Sequence, residues 1–241
     1  MMQRRPQQRA LRRAAACLAI ALGLSCGVQA APSHVPDTMG QRALACTGCH
    51  GPQGRATPTG YIPRIAGKPA GYLKAQLLAF RDGRRQQDAM ARLLVNLPDD
   101  YLGELADHFA AQQVVYPVPL SGQGDAESRA LGQRLVQHGD ATRELPACVS
   151  CHGAAMTGVT PAIPGLLGLP RDYLVGQLGA WRQRHRQAQA PDCMALVAQR
   201  LRPQDIAAVA DWLSAQTLPL QTGPAASLPA DLPMTCGSLS P

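Results

Sequence analysis

Two stretches of this sequence hold residues spaced for metal chemistry: Cys46-Thr47-Gly48-Cys49-His50 and Cys148-Val149-Ser150-Cys151-His152. Each places two thiols three residues apart with a histidine directly after the second. C-x-x-C-H is the attachment signature of a c-type haem. Cys46 and Cys49 in one copy, and Cys148 and Cys151 in the other, are spaced to form thioethers to the two vinyl groups of one porphyrin. His50 or His152 then lies under the iron as its proximal ligand. The competing chemistry is a zinc site built from the two C-x-x-C pairs. Structural zinc sites usually space their pairs more closely, and zinc binding does not ask for His straight after each second Cys. A redox dithiol of the thioredoxin kind would not come twice with His in the same place. The pattern predicts two covalently bound haem c groups.

Pure electron transfer needs a second axial ligand on each iron, and a Met thioether opposite His raises the potential by favouring ferrous iron. Between the first motif and residue 117 the only methionine is Met90, 40 residues after His50. The second copy offers Met156, Met194 and Met234. Met156 is too near His152 in sequence to reach over the ring, and Met234 is in the tail. Met194 follows His152 by 42 residues and matches Met90. Met90 and Met194 are therefore the expected sixth ligands, although a single Met is ordinarily a core filler. His34, His108, His138 and His185 have no counterpart in the other copy and are expected to be solvated or capping. Pro63 and Pro164 follow the two ligand histidines by 13 and 12 residues. A carbonyl there could accept the imidazole Nδ1–H and hold the ring; an ordinary loop proline is an equal alternative. Cys193, beside Met194, and Cys236 are left over. They could pair in an oxidising compartment or stay as two thiols.

The elements that must position these residues repeat along the chain. His50 pairs with His152 at an offset of 102; Tyr72, Gln76 and Phe80 pair with Tyr173, Gln177 and Trp181 at 101; Met90, Leu97 and Asp107 pair with Met194, Leu201 and Asp211 at 104. Such self-similarity marks a tandem duplication. The expected organisation is a leader at 1–30, a first domain at 31–116, a Pro/Gly linker at 117–124, a second domain at 125–217 and a tail at 218–241. Each copy reads as a short helix entering the haem motif (Met39 to Cys46; Ala126 to Gln137), then an irregular Gly/Pro loop. A helix follows, opened by Pro69 or Pro170. Tyr72, Leu73, Gln76, Leu77 and Phe80 share one face of it. A last helix opens at Pro98 or Pro203, with Leu102, Leu105 and Phe109, or Ile206, Val209 and Leu213, as its apolar stripe. No alternating β-branched run occurs, so the expectation is an all-α fold without a sheet. The Pro/Ser/Gly-rich tail from Thr217 is expected to be extended or mobile. Arg81, Arg84 and Arg85, with Arg182, Arg184 and Arg186, precede each Met. They could neutralise propionates or face an acidic partner, but the favoured reading of such a run is a solvated helix end.

Composition agrees with two small haem-stapled domains. Aromatics are 4% of the 241 residues, with two Phe and two Trp. A flat apolar cofactor supplies the core that a small helical shell lacks. The net charge of +7 is concentrated in the leader; without Arg4, Arg5, Arg9, Arg12 and Arg13 the balance is 18 basic against 16 acidic residues. No basic stripe with interleaved aromatics exists, which argues against nucleic acid. Residues 1–30 have a basic n-region, an apolar stretch from Ala14 to about Val28 and a Val28-Gln29-Ala30 cleavage signal. That stretch is about 15 residues, short of the roughly 20 of a membrane span. Gly23-Leu24-Ser25 before Cys26 make a poor lipidation signal. The expectation is a periplasmic protein cleaved near Ala30, with no transmembrane span in the mature chain.

Over about residues 38–217 the chain resembles the di-haem cytochrome c4 family, within the class I c-type cytochromes. The resemblance is carried by Ala45 to Gly51, the Pro63 to Gln76 segment with Ile65-Ala66-Gly67 and Tyr72, Met90, and their second-copy equivalents including Pro146-Ala147-Cys148. It implies two tandem cytochrome c-type helical domains, each wrapped around one haem, with propionates meeting near a pseudo-twofold interface. It also implies single-electron transfer from a respiratory or dehydrogenase donor to an acceptor such as an oxidase, with no substrate of its own. Cys193 and the cysteine-bearing tail depart from the family pattern and leave the partner open. An electron-accepting subunit of a periplasmic dehydrogenase is the alternative. A di-haem peroxidase is a distant third, because it needs one iron with an open position and both copies carry a matching Met.

Overall fold

The computed structural model describes residues 35–57, 61–116, 124–228 and 231–239. The leader with Cys26, His34 and most of the linker lie outside the described residues. The chain divides into two compact units, Met1–Pro36 and Asp37–Pro241. Of the first, only Val35 and Pro36 are described, and both are exposed. Everything that follows concerns the second.

The first half contains α1 (Met39–Arg42), α2 (Leu44–His50), α3 (Ala70–Arg81), α4 (Asp88–Leu94) and α5 (Asp99–Ala110). The second contains α6 (Ala126–His138), α7 (Val149–His152), α8 (Arg171–Arg182), α9 (Cys193–Arg200) and α10 (Pro203–Ser214). Prolines set the starts: Pro69, Pro98 and Pro170 hold extended backbone just before α3, α5 and α8, and Pro203 occupies the first turn of α10. A proline costs nothing there, because the first amides of a helix have no partner to lose. Asp99 and Asp100 favour the positive N-terminal end of α5.

Each half has its own apolar core. Leu73, Phe80, Leu94, Leu102, Leu105 and Phe109 build the first, and Leu135, Val136, Leu174, Ile206, Val209 and Leu213 the second. The apolar stripes expected on the last helices are thus the buried faces of α5 and α10. α3 packs on α5, and α10 on both α6 and α8. The α6–α10 crossing depends on Gly132, where a Cβ would run into the Ala208 carbonyl. Arg143 on a single 3-10 turn (Ala141–Arg143) binds the buried carboxylate of Asp205 at 2.5 Å, and that carboxylate also accepts the Arg202 N–H at 2.8 Å.

The structure departs from the sequence reading in three places. The methionine-bearing segments are helices, α4 and α9, to which no element had been assigned. They are short, and side-chain caps start them: Gln87 accepts the Ala89 N–H at 2.7 Å and Asp192 the Ala195 N–H at 3.0 Å. A two-stranded antiparallel ladder pairs β1 (Gly158–Val159) with β2 (Ile163–Pro164), where no sheet was expected. Two-residue strands are too short to leave an alternating pattern in the sequence. The tail is not loose either: Ala225 bridges Val159, and Cys193 and Cys236 form a disulfide with Cα atoms 5.2 Å apart. No helix among the described residues is long and apolar enough to cross a membrane.

Candidate haem sites and the network between them

α2 delivers Cys46, Cys49 and His50, and α7 delivers Cys151 and His152, with Cys148 at its N-cap. Each motif is followed by a glycine with left-handed backbone, Gly51 at φ 74° and Gly153 at φ 83°. This sharp exit turns the chain back beneath the imidazole, a conformation that L side chains adopt only under strain. At Gly51 a Cβ would also meet the Ala56 carbonyl. The return loop then places a carbonyl on each ring: His50 Nδ1 lies 2.8 Å from the Pro63 oxygen and His152 Nδ1 2.8 Å from the Pro164 oxygen. A carbonyl can only accept, so Nδ1 carries the proton in both rings and Nε2 keeps its lone pair. Of the two readings of these prolines, the ring-holding one is what the structure contains. Burial holds both imidazoles below their ordinary pKa, against the opposing pull of the proline carbonyls. A neutral imidazole with one nitrogen tied to a carbonyl is the form that ligates a metal.

In the second half, Cys148, Cys151, His152 and Met194 all line one apolar cavity of about 250 Å³. His152 is 7% exposed. Burial, helped by the neighbouring Cys151, pushes the Cys148 thiol up to about 12. In the first half, Cys46 and Met90 pack against the same apolar cluster, beside Ile65, Tyr72 and Leu77. Burial raises the Cys46 thiol as well. Among the described residues no three His, Cys, Asp or Glu side chains converge as a metal-binding group. Met156, too near His152 in sequence to reach over the ring, is buried in the second core.

Between the two sites lies a network that the sequence reading placed in solvent. Arg85 and Arg186 are 8% and 4% exposed. Their backbones pair as an antiparallel bridge, continued by Gln86 N–H to the His185 carbonyl and Gln187 N–H to the Arg84 carbonyl at 2.8 and 2.7 Å. Arg85 donates to Gln76 in its own half at 2.8 Å, and to Tyr173 and Gln177 across the interface at 3.2 and 2.7 Å. Arg186 mirrors this, with Gln177 at 2.7 Å, Tyr72 at 3.1 Å and Gln76 at 2.8 Å. Of the expected face of α3, Leu73 and Phe80 therefore serve the core while Tyr72 and Gln76 turn to the partner half. Lys68 is buried nearby and donates to the Gly165 carbonyl at 3.3 Å. The other basic residues behave as a helix end: Arg81 and Arg84 pair with Asp82, and Arg182 and Arg184 are exposed.

Among the described residues no carboxylate pairs with Lys68, Arg85 or Arg186. Burial alone would raise the pKa of Tyr72, yet Arg186, Arg85 and Lys68 together bring it down to about 8. That is the mark of a buried region with uncompensated positive potential. Trp181, which lines the cavity under the Arg186 guanidinium at 3.8 Å, has a buried indole N–H without an acceptor among the described residues. An orphaned donor and two cations without a carboxylate partner, Lys68 and Arg186, in the lining of an apolar cavity fit a flat apolar group that ends in carboxylates, as haem does.

The cytochrome c family model matches residues 130–217. The thiosulfate dehydrogenase electron acceptor of Stutzerimonas stutzeri (strain A1501) is 35% identical over 199 residues, covering 80% of this chain and 90% of that protein. Cytochrome c4 of Pseudomonas aeruginosa is 32% identical over 174 residues, covering 71% of this chain and 84% of that one. This chain belongs to the di-haem cytochrome c4 family. It is an electron-carrying cytochrome with covalently bound haem c. The solved thiosulfate dehydrogenase (TsdBA) of Marichromatium purpuratum superposes with a TM-score of 0.66 at 30% identity, over 75% of this chain and 40% of that longer one.

For a di-haem cytochrome the functional residues missed in the sequence are the interface arginines. Their signal was present: Arg85 and Arg186 share the offset of 101 that relates Tyr72 to Tyr173 and Gln76 to Gln177. The isolated basic runs concealed it, because a run of arginines reads as surface by composition.

Proposed function

We propose that this cytochrome accepts electrons from a thiosulfate-oxidising dehydrogenase in the periplasm and passes them on singly, without turning over a substrate itself. The observation that carries the proposal is the 35% identity spread over 90% of a thiosulfate dehydrogenase electron acceptor. Residues 31–116 and 125–217 are the two cytochrome domains, behind a leader cleaved near Ala30. Cys46, Cys49, Cys148 and Cys151 attach the haems. His50 and Met90 would hold the first iron, and His152 and Met194 the second. The bound haem supplies reversible one-electron chemistry at its iron.

The chain does the rest. Pro63 and Pro164 fix the proximal rings and raise their donor strength. α4 and α9 present the two thioethers from capped helix starts. Arg85, Arg186 and Lys68 concentrate positive charge between the sites, where it favours the added electron and ties the halves together. A methionine at the same position in each half leaves no open iron for peroxide. A general carrier delivering to an oxidase is the second reading, favoured by the 32% identity with a cytochrome c4.

The test is to mix the oxidised protein with purified thiosulfate dehydrogenase and follow haem reduction on adding thiosulfate. Reduction of both haems at catalytic enzyme levels supports the acceptor reading. Reduction only by quinol-linked donors would replace it with the general carrier.

A further inference from the structure

We infer that the disulfide-pinned tail is a clamp that closes the second haem crevice and holds Met194 on its iron, leaving the first crevice as the open one. The inference rests on the ligand assignment above. The tail is fastened at both rims of that crevice. On the histidine side, Ala225 pairs with β1, a few residues beyond His152: its N–H donates to the Gly158 carbonyl, and its own carbonyl accepts the Thr160 N–H, both at 2.9 Å. On the methionine side, Cys236 is bonded to Cys193, the residue immediately before Met194. Gly237 N–H donates to the Pro191 carbonyl at 2.9 Å, and a Cβ on Gly237 would run into the Ala190 carbonyl. Leu232 and Met234 between these anchors, and Leu239 just beyond them, line the same cavity as His152 and Met194. One covalent bond and three backbone hydrogen bonds thus strap an apolar segment across the site.

The first half lacks the covalent anchor. Ala89 stands where Cys193 stands in the second copy. Cys49 is exposed where Cys151 is partly buried, and His50 is partly exposed where His152 is buried. Leu44, within its haem-motif helix, is 55% exposed. Opening of a Met-ligated site requires the methionine segment to move away from the iron. A disulfide to the residue before Met194 restricts that movement in one half only.

The experiment uses the holoprotein with imidazole as probe of the ferric haems. The methyl resonances of Met90 and Met194 report each axial bond separately by NMR. In the wild type, imidazole should displace Met90 at least tenfold faster than Met194. In Cys193→Ala, which installs the first copy's residue, and in Cys236→Ser, displacement at the second haem should rise at least tenfold with the first unchanged. Reducing the disulfide of the folded wild type with a dithiol should do the same, which guards against a folding defect of the variants. Equal rates at both haems in the wild type, or an unchanged second-haem rate after dithiol reduction, would overturn the clamp. Should Met194→Ala leave both iron-bound methionine signals intact, the ligand assignment fails and the clamp with it; that outcome is distinct from a bound Met194 indifferent to the disulfide.

Discussion

Replacing Arg186 with methionine removes one guanidinium from the interface while keeping a stem of similar length. Three hydrogen bonds are lost, and two of them, to Tyr72 and Gln76, join one half to the other. Charged donors contribute roughly 1.5–3 kcal/mol each, so the gross loss between halves is ~3–6 kcal/mol. The desolvation of a buried cation is returned at the same time. The expected net weakening of the interface is about 2–3 kcal/mol on that basis. The halves of the wild type should unfold together in denaturant, and those of the variant in two steps, read at the two haems. Arg186→Lys should recover less than half of the loss, because an ammonium cannot copy the fork that reaches Gln177, Tyr72 and Gln76 at once. A cycle with Tyr72→Phe should give a coupling of ~1 kcal/mol. A single unchanged transition in Arg186→Met, or no coupling to Tyr72, would refute the claim that this network holds the halves together. Loss of a cation also disfavours the reduced state, so both potentials should fall; ~1 kcal/mol of lost stabilisation is ~40 mV for one electron.

Other substitutions have separable outcomes. Trp181→Phe, which copies Phe80 of the first half, should shift the second haem's potential in a redox titration and leave the first within error. Gly132→Val should force α6 from α10 and destabilise the second half by ~3 kcal/mol or more, seen as a lowered thermal midpoint for that haem only. Asp205→Ala removes one of the two carboxylates that pair with Arg143, Asp140 staying at 2.7 Å, and leaves the Arg202 N–H without its acceptor; it should cost about 1–3 kcal/mol in urea unfolding.

The chemistry of this protein was legible in sequence because covalent attachment demands fixed spacings, and the last helices because amphipathic periodicity is local. The roles of Pro63 and Pro164 were half-legible: their offsets from His50 and His152 suggested a carbonyl on each ring, but only the turn at Gly51 and Gly153 decides where the loop returns. Arg85 and Arg186 were misread because burial of an arginine depends on what the opposite half supplies. Tyr72 and Gln76 share the expected face of α3 with Leu73 and Phe80, and their contacts with the other half depend on it in the same way. A helix face with polar members at i and i+4 can serve a second interface, and periodicity alone does not distinguish the two. The tail was half-legible: its composition suggested an extended or mobile segment and the two spare cysteines left a disulfide open, while the bridge to Val159 leaves no pattern along the chain.

The pseudo-twofold arrangement carries an electrostatic consequence. Duplication brings an arginine into the interface twice, on backbones that pair directly, with Lys68 close by. Burying such cations without counter-charge costs several kcal/mol for each. Gln76 and Gln177 supply dipoles but no charge, so the chain alone is poorly suited to close this interface. Carboxylates of bound haem at this interface would restore the balance, and closure of the halves would then be tied to cofactor attachment. A chain with Cys46, Cys49, Cys148 and Cys151 all changed to alanine should accordingly lack both the cores' flat apolar fill and the interface counter-charge. It should show weakened helical circular dichroism and no cooperative unfolding transition. Adding Arg85→Leu and Arg186→Leu to that haem-free chain should increase its helicity, since two unpaired buried cations are removed. In the haem-loaded protein the same pair of changes should destabilise. Opposite signs in the two backgrounds are the signature of the coupling; the same sign in both would mean that the arginines act through packing and hydrogen bonds alone.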